Sequence, residues 1–144
     1  MATVQAIMDA LAGQIESELA SEVDGLQVDP RLLPNPTPPS IDIYPAETFV
    51  EGLGFGAGNY ALFFTVRARL NTPDTDGSQD VLLSLMDPTA SSSLVQAVMS
   101  DPTLNGTVEN LTFEPAGPTG YGVFQDAAGQ GQYLGCTWTV KVNP

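Results

Sequence analysis

Histidine is missing from this chain altogether, and basic residues nearly so. The 144 residues hold four bases, Arg31, Arg67, Arg69 and Lys141, against seventeen Asp and Glu, a net charge of −13. Without histidine, no Ser-His or Cys-His nucleophilic pair can be assembled within the chain. Gripping a phosphate backbone takes clustered Lys and Arg, which four bases do not supply, and an anionic membrane surface repels so acidic a chain. Cysteine occurs once, at Cys136, which excludes an intrachain disulfide and gives no sign of an oxidising compartment. Long apolar runs are also missing: no stretch approaches the roughly 20 residues of a membrane span. The segment from Met1 to Leu19 carries Asp9, Glu16 and Glu18 but no Lys or Arg. A secretory signal begins positively charged and turns apolar, so this segment is expected not to be one.

What is present suffices for a globular domain. Hydrophobic residues make up 42% and aromatics 8%, too much for a disordered chain. One domain of this length buries roughly 68–70% of its unfolded surface, enough for a core without disulfides or metal. Twelve prolines and fourteen glycines predict long loops around that core. Two sequons, Asn105-Gly106-Thr107 and Asn110-Leu111-Thr112, lack an export signal and read as chance.

Residues 3–22 predict an amphipathic helix. Val4, Ile7, Met8, Leu11, Ile15 and Leu19 fall on one face, with Thr3 as N-cap and Gly25 as the stop. Leu26-Gln27-Val28 suits a short strand. The prolines at 34, 36, 38 and 39 exclude helix and central strand from Arg31 to Pro39. Ile41-Asp42-Ile43-Tyr44 alternates and meets Pro45, as an edge strand would. Glu51 to Gly58, with four glycines in eight residues, reads as a loop. Residues 59–71 give the clearest strand: Tyr60, Leu62, Phe64, Val66, Ala68 and Leu70 face one way, and Phe63, Thr65, Arg67, Arg69 and Asn71 the other. Short helices are expected at about Ser78–Met86 and Ser92–Met99, and a strand at 106–114. The Gly/Pro-rich stretch 115–131 reads as a loop. The last strand, 132–143, turns Leu134, Cys136, Trp138, Val140 and Val142 to one side. The pattern predicts a single α+β domain: a mainly antiparallel twisted sheet, with an N-terminal helix and two short helices packed on one face, and long loops at about 29–40, 51–58 and 115–131.

Few residues suggest chemistry. Cys136 lies on the apolar side of its strand, where a thiol is inert. Asp74, Asp76 and Asp80 have something of a calcium loop, but the glycine is the fourth residue from Asp74 and position 85 is Leu rather than Glu. A turn followed by helix capping, with carboxylates near the positive helix end, is the preferred account of them. Paired carboxylates can hydrolyse sugars, yet seventeen acids make pairs unavoidable and no spacing singles one out. The expectation is a protein without enzymatic activity, catalytic residues, metal or cofactor. Arg67 and Arg69 stand apart as two of four bases on one face of one strand. They satisfy intramolecular salt bridges on a solvent face, worth little each, or they meet an acidic patch on a neighbouring copy, which copies this acidic would need in order to pack. On the second reading they are subunit-interface candidates, and charge reversal at both abolishes oligomerisation while leaving the fold intact.

The order of these pieces resembles the tail terminator proteins of long-tailed (siphovirus-type) bacteriophages, particularly those of actinobacterial phages. The likeness rests on an N-terminal helix followed by Gly25-Leu26-Gln27-Val28, and a Pro-rich loop leading to Ile41-Asp42-Ile43-Tyr44-Pro45. It continues through Phe64-Thr65-Val66-Arg67-Ala68-Arg69, Asp76-Gly77-Ser78-Gln79-Asp80 and Leu82-Leu83-Ser84-Leu85-Met86-Asp87. Asp101-Pro102-Thr103-Leu104-Asn105-Gly106-Thr107-Val108 and the closing Tyr133-Leu134-Gly135 and Trp138-Thr139-Val140-Lys141-Val142 complete it. The resemblance implies a small α+β domain with helices against a twisted sheet. It further implies a homo-oligomeric ring, hexameric in that family, at the head-proximal end of the tail tube. Such a ring stops tube growth, meets the tail tube protein and the neck or connector-stopper protein, and lets DNA pass through its lumen without binding it. It would assemble in the host cytoplasm and reside in the virion at the head–tail junction. Another neck component, a connector-stopper or tail-completion protein, is the near alternative, and a monomeric acidic calcium-dependent binding module the distant one.

Overall fold

The computed structural model describes residues 3–34, 38–52, 60–71, 76–125 and 132–144. The chain runs α1 (Val4–Leu19), β1 (Gln27–Asp29), β2 (Ser40–Gly52), β3 (Tyr60–Leu70), α2 (Asp76–Met86), α3 (Leu94–Met99), β4 (Asn110–Phe113), β5 (Thr119–Gln125) and β6 (Gln132–Asn143). The strands form one six-stranded sheet in the order β1-β2-β3-β6-β4, and β5 also pairs with β6. Every pairing is antiparallel except that of β1 with β2, so the sheet is mixed. Among the described residues, no helix is long and apolar enough to cross a membrane.

The sequence period dictates which side of the sheet is covered. On β3, Leu62, Phe64, Val66, Ala68 and Leu70 stand opposite Val142, Val140, Trp138, Cys136 and Leu134 of β6. All ten are buried in one cluster with Ile7, Leu11, Ile15 and Leu19 of α1, Leu82 and Leu85 of α2, and Leu94 and Val98 of α3. The three helices therefore share one face of the sheet. Thr3 caps α1, its Oγ1 accepting from the Ala6 N–H at 3.1 Å, and Ser93 caps α3 in the same way through Gln96. The Gln14 side-chain amide reaches across from α1 and donates to the carbonyls of Ala97, Val98 and Asp101. These include carbonyls at the end of α3 that have no intrahelical partner.

Several expected boundaries move. Helix α1 ends at Leu19, and a short turn carries the chain to Gly25, whose φ of 72° suits glycine. Strand β2 is not an edge along its whole length, because β1 pairs with Ser40, Ile41 and Asp42. It runs on through Pro45 to Gly52, with a register break between Pro45 and Val50. Pro45 is tolerated because β1 has already ended, so its missing N–H faces no partner strand on that side. Part of the expected loop at 51–58 is strand, since Glu51 and Gly52 complete β2 and pair with β3; the remainder, 53–58, lies outside the described residues. The strand expected at 106–114 is four residues long, preceded by a turn in which Leu104, Asn105 and Gly106 all adopt positive φ. Asp101 organises that turn, accepting from the N–H and hydroxyl of Thr103 and the N–H of Asn105. The loop expected at 115–131 contains β5, which shares the outer edge of β6 with β4; residues 126–131 lie outside the described residues.

Candidate functional site: an arginine pair on the open face of the sheet

The face of the sheet away from the helices carries the polar half of each alternating strand. Arg67 and Arg69 project there from β3. The β2 residues opposite them are Asp42 and Ser40, and on the β6 side they are Thr137 and Gly135. The pairing that makes β2 and β3 neighbours thus sets a carboxylate directly across from a guanidinium, on the side the isoleucines of Ile41-Asp42-Ile43 do not use.

Asp42 is fully buried, and it is saturated. Its Oδ1 accepts from Arg67 Nε at 3.1 Å; its Oδ2 accepts from Arg67 Nη2 at 2.6 Å, Arg69 Nη2 at 3.2 Å and the Leu33 N–H at 3.0 Å. The Arg67 contact is the two-pronged fork that suits a carboxylate. The Leu33 carbonyl accepts from Nη2 of both arginines, at 3.3 and 2.6 Å. One residue of the loop between β1 and β2 is therefore held over the sheet on both sides: its N–H by the carboxylate, its carbonyl by the cations. The Arg67 guanidinium also lies 5.1 Å from the centre of the Tyr44 ring. Burial raises the Tyr44 pKa against the opposing pull of Arg67. Burial likewise lowers the Arg69 pKa, with Asp42 pulling the other way.

The cluster carries two positive charges and one negative. Arg69 is 2% exposed, and its Nε has no hydrogen-bond partner among the described residues; the Oγ of Ser40, its partner across the ladder, is in the same state. On the other side, Gly135 leaves room. A Cβ there would collide with the Ala68 carbonyl and press on the Phe124 ring, which covers the glycine from β5. Leu32, Pro34, Arg67, Arg69 and Gln125 line a pocket of about 230 Å³ beside the cluster.

The solvent-face salt bridges expected of Arg67 and Arg69 are thus corrected to a buried ion triad, because the loop at Leu33 closes over them. The companion expectation, that reversing both charges spares the fold, now gives way to the opposite prediction. Reversal would set two new carboxylates against the buried Asp42. What the pair presents outward is the 17% of the Arg67 side chain that stays accessible. Asp42, Tyr44 and the Leu33 backbone were missed from the sequence; an acid between two isoleucines on a strand, two bases in phase on the next, was the available signal.

The remaining candidates are quiet. Lys141 pairs with Glu114 at 3.6 Å and sits 6.0 Å from the Phe63 ring. Burial pushes the Cys136 thiol up to about 12. Of the calcium-loop residues, Asp80 is exposed on α2. Asp74 and the side chain of Asp76 lie outside the described residues, among which no three potential metal ligands come together. No protein-family model matches the chain, and no curated protein sequence matches it either.

Proposed function

We propose that this chain is a structural subunit of a bacteriophage particle: a tail terminator whose copies form a ring, hexameric by the resemblance, on the head-proximal end of the tail tube. There it halts tube growth, joins the tail to the neck and leaves a passage for DNA. The observation that carries this reading is the distribution of charge. Half of the four bases are folded inward around Asp42. Setting those three residues aside leaves sixteen acids against two bases over the rest of the chain. A wall of that sign repels phosphate and lets DNA slide rather than stick. The α+β architecture, with three helices on one face of the sheet, agrees with the fold that the resemblance implies.

The test is to locate the chain in the intact particle, by labelling it and imaging virions. A single ring of six copies at the junction of head and tail is expected. Copies spread along the tube, or absent from the neck, would refute the assignment. A gel-shift titration with duplex DNA at low salt should show no complex; tight binding there would remove the argument from charge.

A further inference from the structure

The two-to-one charge count of the buried triad has a consequence for assembly. We infer that the pocket lined by Leu32, Pro34, Arg67, Arg69 and Gln125 is a socket for an acidic side chain of a second copy of this chain. The inference rests on the ring reading and names the contact through which copies would meet.

Three observations converge on it. First, among the described residues two guanidinium groups at the pocket face one carboxylate, and a guanidinium presents about five N–H donors, of which the contacts above engage only part. Arg67 keeps 17% of its side chain accessible, and that is the part of the pair an incoming carboxylate can reach. Second, the pocket combines that charge with an apolar wall. Leu32 is 55% exposed at its rim and Pro34 is exposed beside it, while β5, which contributes Gln125, carries no charged residue from Thr119 to Gln125. It is the kind of surface that receives the methylene stem and carboxylate of an Asp or Glu. Third, the charged groups of the rest of the chain are sixteen acids against two bases. Surfaces so alike in charge hold copies apart unless an acid on one finds a positive recess on the other. A donor acid and a receiving pocket at different places on each copy make a head-to-tail contact, the kind that closes rings.

Sedimentation velocity over a wide concentration range tests this on the whole chain. Leu32→Glu and Gln125→Glu put a negative charge on exposed rim positions that contribute nothing to the core, and Gln125→Lys puts a positive one there. Melting curves confirm that each variant folds. The wild type should self-associate; each acidic variant should weaken association about tenfold or more at equal ionic strength, and Gln125→Lys should preserve or strengthen it. Association that ignores the rim charges would overturn the socket while leaving a ring intact. A wild type that stays monomeric at the highest concentration reached would overturn the socket, whereas the ring reading would still be decided in the particle. Inorganic phosphate that raises the melting temperature of the wild type without changing its sedimentation would mark a site for a free anion and also overturn the proposal.

Discussion

Removing the Asp42 carboxylate should be among the most costly single changes this protein can suffer, and the reason lies in what would be left behind. The carboxylate is fully buried and accepts four hydrogen bonds, three of them from guanidinium groups. In Asp42→Ala the Leu33 N–H and both arginines lose their acceptor together. Arg67, still 17% exposed, can turn toward water; Arg69, at 2%, cannot. Breaking a buried pair from one side costs about 3–5 kcal/mol, and the stranded Arg69 places this case toward the upper end. A domain holds only about 5–15 kcal/mol in all. Arg69→Met should behave differently. It leaves Asp42 in the fork of Arg67, removes a buried N–H that has no partner, and keeps most of the volume, so a change under about 1.5 kcal/mol is expected. The double variant should be more stable than the sum of the singles by at least about 1 kcal/mol, since the charge stranded by the first change is removed by the second. Urea unfolding followed by the emission of Trp138, the sole tryptophan and 1% exposed, measures all three. An Asp42→Ala loss below about 1 kcal/mol, or an Arg69→Met loss equal to it, would refute the account of the triad.

Further outcomes follow from other sites. Gly135→Ala should destabilise the fold by about 2 kcal/mol or more, because the new methyl group meets the Ala68 backbone. Gly117→Ala, where a Cβ meets open space, should be near neutral in the same melts. Gln14→Ala should cost about 1–2 kcal/mol by removing the side-chain donor to the Val98 and Asp101 carbonyls, while Ala97 keeps the Ser100 hydroxyl, read as a lowered melting temperature. The Cys136 thiol, buried and pushed up to about 12, should resist alkylation in the native protein at neutral pH and react fully in denaturant; fast native labelling would contradict its place in the core. Hydrogen bonds from Thr103 and Asn105 hold the Asp101 carboxyl below its ordinary value of 3.8. A depressed acid stabilises the fold at pH above the unfolded value and loses that contribution as pH falls through the folded one. The Thr103 and Asn105 amide resonances should therefore titrate with a midpoint below 3.8; a midpoint at or above it would break the link.

Regular alternation was the most legible part of the sequence. The long strands β3 and β6, their buried faces and the helix α1 could be read from it because one period runs uninterrupted over many residues. Strand β5 could not, because Thr119, Gly120 and Gly122 dilute the alternation of Tyr121, Val123 and Phe124, and the strand is held by pairing along β6 rather than by its own composition. The span of β2 beyond Pro45 escaped for a related reason, since what tolerates the proline is the end of a different strand. Arg67 and Arg69 were visible as a pair, but their meaning was not. Whether two cations on a strand face water depends on what closes over them, and the closing segment comes from the loop before β2, more than thirty positions away in the chain.

Strand β6 pairs with β3 along one edge and with β4 and β5 along the other, so it alone joins the two halves of the sheet. It is also the last of the described strands to be synthesised. Until it emerges, β3 keeps an unpaired edge, and β4 and β5 have no strand to pair with. Loss of Gln132–Asn143 would therefore do more than shorten the sheet. It would leave nascent chains with open strand edges that seek one another, and aggregation rather than a smaller folded domain is the fate that topology sets for them.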